Sequence, residues 1–316
     1  IIMIFYYYLC CLNGVFIATF FLKNLFIFIF SQIIVGNAIA TNTSTGTNAL
    51  SSLTTGSHNT ANGFESLYSN TSGSFNTASG YKSLFNNITG SYNVGVGHET
   101  LNKNISGDSN SALGNQSLFS NTTGSSNVAI GNNSMYSNTT GQNNTAVGTS
   151  SMYKNTTGSY NSAFGDRSLQ NNTTGSYNSA FGDGSLIYNT TGFSNTAIGQ
   201  NSLNQNTAGY YNSALGEFSL FYNTTGRENT AVGQSSLFSN TTGNWNTAVG
   251  GNSLRANTTG YDNTAIGHNS LSNNTTGYQN TVVGQDSLKA NTTGYANVAV
   301  GEGVLENNTT GYSNTA

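Results

Sequence analysis

Asn240-Thr241-Thr242-Gly243-Asn244-Trp245-Asn246-Thr247-Ala248-Val249-Gly250-Gly251-Asn252-Ser253-Leu254-Arg255-Ala256 is one copy of a unit that fills most of this chain. Its general form is N-T-T-G-x-x-N-T-A-V-G-x-x-S-L-x-x. The first glycine recurs in steps of 17 from Gly56 to Gly311, passing through Gly141, Gly158, Gly175 and Gly192. A second series runs from Gly63 to Gly301, through Gly148, Gly165, Gly182 and Gly199. Together they hold 31 of the 38 glycines, so glycine is punctuation here. An Asn follows the first glycine by three places in every copy, as in Asn144, Asn161, Asn178, Asn195, Asn212, Asn229, Asn246 and Asn263. A Ser-Leu pair recurs from Ser66-Leu67 to Ser287-Leu288, with Met135 and Met152 in the leucine place. A shortened copy, Gly46-Thr47-Asn48-Ala49-Leu50, leads into the array as its cap.

A period this short is too small for a helical hairpin, and Gly, Asn and Thr are poor helix formers. Two short strands per unit, Asn-Thr-Ala-Val and Ser-Leu-x-x, fit between glycine turns. One unit cannot bury a core, so copies must stack. The expectation is an all-β parallel β-solenoid of sixteen 17-residue repeats, one coil each. At the usual strand spacing of about 4.8 Å the rod would be roughly 75 Å long. Stacking places like residues above one another, so the Asn series reads as a hydrogen-bonded ladder. The glycines are expected to supply positive φ at the corners. One core row is read from Val147, Phe164 and Ile198, and another from Leu169, Leu186 and Leu203, with Ala146, Ala163 and Ala180 between them. Two large side chains per coil make a thin core. Self-association, most simply as a homotrimer on one axis, would add burial.

Composition agrees with stacking. Charged residues are 6% of the 316, there is no proline, and the net charge is −3. Stacked like charges would repel, and proline would interrupt the ladder. Without a basic stripe, nucleic acid is not an expected partner. Residues 1–40 differ from the rest. An apolar run after Lys23-Asn24 ends in Ala38-Ile39-Ala40, the form of a secretory signal peptide, with a membrane anchor as the competing reading. Residues 1–21 read as upstream, untranslated sequence if the start lies at Leu22 rather than Met3. Cys10 and Cys11 fall in this stretch, so the array has no cysteine for disulfides or metal. The domain reading is a leader at 1–40, a cap and shortened repeat at 41–55, and an array at 56–316 that stops in mid-repeat.

No catalytic constellation emerges. His58, His98 and His268 are far apart, while a zinc site needs clustered ligands. No base recurs beside the hydroxyls, and no cofactor is implied. Three surface features remain. Asn121, Asn138, Asn155, Asn189, Asn223 and Asn240 open Asn-x-Ser/Thr sequons, as do Asn70, Asn87, Asn104, Asn172, Asn257, Asn274, Asn291 and Asn308. They are glycan acceptors or simply turn formers. Aromatics recur at Tyr210, Tyr261, Tyr278, Tyr295 and Tyr312, and at Tyr68, Phe85, Phe119, Tyr136, Tyr153, Phe221 and Phe238. They would stack on sugars or neighbouring fibres, or on one another. Thr224-Thr225 and Thr241-Thr242 exemplify a threonine row, a β-forming turn element or, remotely, an ice-binding array.

Asn229-Thr230-Ala231-Val232-Gly233-Gln234-Ser235-Ser236-Leu237 resembles the Ser-Val-Ala-Ile-Gly-x-x-Ser repeat of YadA-like heads of trimeric autotransporter adhesins. The array from 46 to 316 is also similar to NTTG-type tracts of bacterial surface and tail-fibre-like proteins. The resemblance implies a left-handed parallel β-roll that trimerises into a secreted, cell-surface stalk or head. The family's repeat is shorter, which puts three extra residues near Asn-Thr-Thr. Heptads, a C-terminal membrane anchor and a chaperone domain are not seen in this sequence. The functional expectation is a non-enzymatic structural fibre whose partner is itself. The alternative is an adhesin that binds host or surface glycans through Tyr and Asn rows. Membrane contact would come only through the leader or a part beyond Ala316.

Overall fold

The computed structural model describes residues 41–316. The leader reading, Met3, Leu22, Cys10 and Cys11 lie outside the described residues. Within them the chain is a β-solenoid. Sixteen three-residue strands run from β1 (Thr43–Thr45) and β2 (Thr60–Asn62) to β16 (Val298–Val300) and form one parallel sheet in strict sequence order. Registers carry each repeat position onto the same position of the next coil, as in Thr196 on Ser213, Ala197 on Ala214 and Ile198 on Leu215. No helix among the described residues is long and apolar enough to cross a membrane.

Only Thr-Ala-Val is a strand. The expected second strand at Ser-Leu-x-x is a turn in every coil. The leucine there has a left-handed backbone, with φ of 51° at Leu186 and 52° at Leu203. That conformation points the side chain inward but ends any extended run. The axial ladder nevertheless continues around the turns: Leu186 N–H donates to the Ser202 carbonyl at 3.1 Å and Thr190 N–H to that of Thr207 at 3.0 Å. Backbone pairing along the axis therefore does not depend on strand geometry. The segment read as a shortened copy is in register with the coils that follow. Gly46 stacks on Gly63, and Leu50 N–H donates to the Ser66 carbonyl at 3.1 Å. Leu53 occupies the place that holds Asn70 in the next coil.

The core row is half of what the pattern suggests. Ala146, Ala163 and Ala180 point inward and are fully buried, as are Leu169, Leu186 and Leu203. Val147 is half-buried, while Phe164 and Ile198 are 38% and 41% exposed. In a strand, neighbours of an inward Ala must point outward, so the Val/Phe/Ile row lines the outer sheet face beside the Thr row. Period 2 was the correct rule, but the small residue, not the large one, took the interior.

The two glycine series serve different needs. Gly148, Gly165, Gly182 and Gly199 have φ between 127° and 138°, which L side chains rarely adopt. Gly141, Gly158, Gly175 and Gly192 do not have positive φ, which corrects the expectation for that series. They are glycine for space: a Cβ on Gly175 would strike the Gly192 carbonyl oxygen and the Asn172 side-chain oxygen. Several positive-φ corners belong instead to non-glycine residues, such as Tyr177, Arg167 and Leu169 within neighbouring coils.

Candidate functional surfaces

The Asn ladder is present and doubled. Asn161 N–H donates to Asn144 Oδ1 at 3.0 Å, and Asn161 Nδ2 donates to the same oxygen at 3.2 Å. Its other amide hydrogen goes to the Gly175 carbonyl at 2.9 Å. The same pattern runs through Asn178, Asn195, Asn212, Asn229, Asn246 and Asn263. A second ladder uses the sequon asparagines. Asn172 Nδ2 donates to Asn155 Oδ1 at 2.7 Å and to the Gly175 carbonyl at 2.9 Å. The Gly175 carbonyl thus accepts from both ladders, and its two lone pairs are both used. Sequence reasoning missed this second ladder. The signal was available, since Asn70 to Asn291 recur as strictly as the first series.

This arrangement removes the glycan reading at the interior sequons, while Asn308 in the last coil is only partly buried and gives its Nδ2 to the Gly311 carbonyl alone. Asn121, Asn138, Asn155, Asn189, Asn223 and Asn240 are fully buried. Each Nδ2 spends both hydrogens inside the rod, as Asn189 does on Asn172 Oδ1 and the Gly192 carbonyl. A glycan on Nδ2 and this fold exclude one another at these positions. Asn-x-Thr is here an interior ladder followed by a turn.

The aromatics stack along the axis. Tyr261, Tyr278, Tyr295 and Tyr312 form one column with centroid separations of 4.9, 4.8 and 5.0 Å and interplanar angles of 6°, 4° and 3°. Tyr210 stacks on Phe193 at 4.8 Å and meets the Arg227 guanidinium with its hydroxyl. The other row groups as Tyr68–Phe85, Phe119–Tyr136–Tyr153 and Phe221–Phe238. Ring faces are turned to one another, so edges and hydroxyls face outward. A sugar that binds by stacking needs a ring face, and columns offer one only where they end.

The threonine row divides in two. Thr224 and Thr241 give their hydroxyls to carbonyls of the next coil at 3.0 and 3.1 Å. Thr225 and Thr242 are exposed. The His residues stay apart, and no group of metal-ligating side chains occurs among the described residues. Two carboxylates do stack, Asp166 and Asp183, and Arg167 lies 3.4 and 3.6 Å from them. Asp286 is held down to about 2 by hydrogen bonds from Lys289, Asn269 and Gln285. Comparison with known protein families, characterised proteins and solved structures finds no match.

Proposed function

We propose that the chain is a secreted, non-enzymatic structural protein whose array is a stiff spacer in a cell-surface or extracellular fibre. The observation that carries this reading is the unbroken axial ladder. Backbone pairs run over all sixteen strands, two Asn ladders run alongside them, and aromatic columns of two to four rings add to them in the same direction. Each coil adds several hydrogen bonds along the axis at roughly 1 kcal/mol net apiece. Bending or stretching the rod must break them together.

The outer sheet face supports self-association. Leu113, Ile130, Phe164, Phe181, Ile198, Leu215 and Ile266 lie exposed in one row. Half-burying such a side chain contributes about 1 kcal/mol, so the row offers on the order of 10 kcal/mol. The cost of association is about 4–15 kcal/mol. The two nearly balance, which favours reversible, concentration-dependent assembly, with a trimer as the simplest closed form. The adhesin alternative receives less support, because the tyrosine faces are occupied and the Asn rows are interior. Sedimentation and electron microscopy of the purified array test the proposal. Straight rods that associate with rising concentration are expected. Flexible monomers at every concentration would sink it, and binding on a glycan array would restore the adhesin reading.

A further inference from the structure

The tyrosine columns place phenols where oxidation would couple them. In the longest, Tyr261, Tyr278, Tyr295 and Tyr312 repeat at 4.8–5.0 Å with nearly parallel rings. Tyr160–Tyr177 repeat at 5.0 Å and 1°, and Tyr136–Tyr153 at 5.2 Å and 13°. The rings occupy the same position of successive coils and lie nearly parallel, so the carbons ortho to neighbouring hydroxyls are held about one coil apart. Holding two reactants in such a geometry replaces a bimolecular encounter by an intramolecular one, with a large gain in effective concentration.

We propose that these columns are sites of dityrosine formation, which would staple consecutive coils covalently. The oxidant is a peroxide used by a peroxidase. Each of two phenols loses one electron and one proton and becomes a phenoxyl radical. Hydrogen peroxide takes up those two electrons and two protons and leaves as two waters. The radicals join through a bond between ortho carbons. The hydrogen on each of those carbons then moves to the oxygen and restores both phenols. Each link costs the chain two hydrogen atoms. The inference stands on the columns themselves and does not need the fibre reading.

Other tyrosines provide internal controls. Tyr92 is 60% exposed but stacks on Phe75, and Tyr188 is 47% exposed and stacks on no aromatic ring among the described residues. Tyr177 and Tyr312 are as exposed as Tyr92, so exposure alone would link all of these alike; if column geometry governs coupling, Tyr92 and Tyr188 stay unlinked within the chain. The test treats the full chain with peroxidase and hydrogen peroxide, follows dityrosine fluorescence, and maps linked peptides by mass spectrometry. Links between residues 17 apart are expected at Tyr261–Tyr278, Tyr278–Tyr295, Tyr295–Tyr312, Tyr160–Tyr177 and Tyr136–Tyr153. The double variant Tyr278→Phe, Tyr295→Phe keeps the stacked rings and should abolish links in that column while Tyr160–Tyr177 persists. The same reaction in denaturant should lose the 17-residue spacing. Random links, links mainly between molecules through Tyr92 or Tyr188, or no fluorescence from the folded chain would overturn the proposal.

Discussion

The interior of this rod and the outer face of its sheet invert the usual distribution of polarity. Inside, each regular coil carries two asparagines, a serine, an alanine and a leucine, all buried. Outside, the sheet shows Val, Ile, Leu and Phe beside Thr and Ser. A buried amide normally costs several kcal/mol unless paired. Here every coil brings an identical partner one step along the axis, so the amides satisfy one another. The difference teaches that strict repetition can stand in for hydrophobicity in an interior. It also leaves apolar side chains free for the outside.

That contrast can be broken most severely at the ladders. Asn172→Ala would orphan Asn155 Oδ1 and deprive Asn189 Nδ2 of one of its two acceptors. With unsatisfied buried groups at about 1–3 kcal/mol each, a loss of about 3–5 kcal/mol is expected. Gly175→Ala should match it, because the added Cβ meets backbone. Since coils contact only their neighbours, hydrogen exchange should show protection lost around the altered coil first. Uniform loss along the rod would mean that the array unfolds as one unit.

The next contrast pits an inward apolar side chain against an outward one. Leu186→Ala should cost about 2–5 kcal/mol. Ile198→Ala should change thermal stability by about 0.5 kcal/mol or less, yet weaken association measured by sedimentation. Equal destabilisation would show that the outer row is buried in the working assembly. A smaller effect concerns strain. Ser235 sits at φ 56°, where Gly184 and Gly303 occupy the matching corner of other coils. Relief of the left-handed backbone is worth about 1–2 kcal/mol, and the extra freedom of glycine in the unfolded chain takes back about 0.5–1. Ser235→Gly should therefore raise stability by about 0.5 kcal/mol, read as a small increase in Tm.

The smallest expected effect is electrostatic. The carboxyl of Asp286 titrates below its ordinary 3.8, at about 2. Its contribution is present above about pH 4 and is lost as pH falls through about 2. The group is at the surface, so its contribution is small. Asp286→Asn should flatten a slight acid decline in Tm between those values. A large decline that survives the substitution would place the acid sensitivity elsewhere.

Much of the fold was legible because repetition writes the register into the sequence. Asn144, Asn161 and Asn178 recur at one spacing, so stacking forces them to touch. Leu169 and Ala163 were rightly placed inside. Val147, Phe164 and Ile198 were not, because side-chain size suggested burial while the phase of the pleat decided it. The sequons misled for a related reason: Asn-Thr-Thr reads as an exposed turn, yet only the threonines are near the surface. Gly175 looked like a φ > 0 corner, whereas the crowding that demands glycine comes from the next coil and has no local signature.

By itself, then, the sequence determined the period, the parallel in-register stacking and the scarcity of charge, since each follows from identical residues lying about 4.8 Å apart. The tertiary structure alone decided which side of each strand closes inward and that both Asn series meet at one glycine carbonyl. It also decided that ring faces are spent on one another. Those are properties of how a coil closes on itself, and closure is set by contacts between residues that a repeat pattern places in the same unit without saying which way they point.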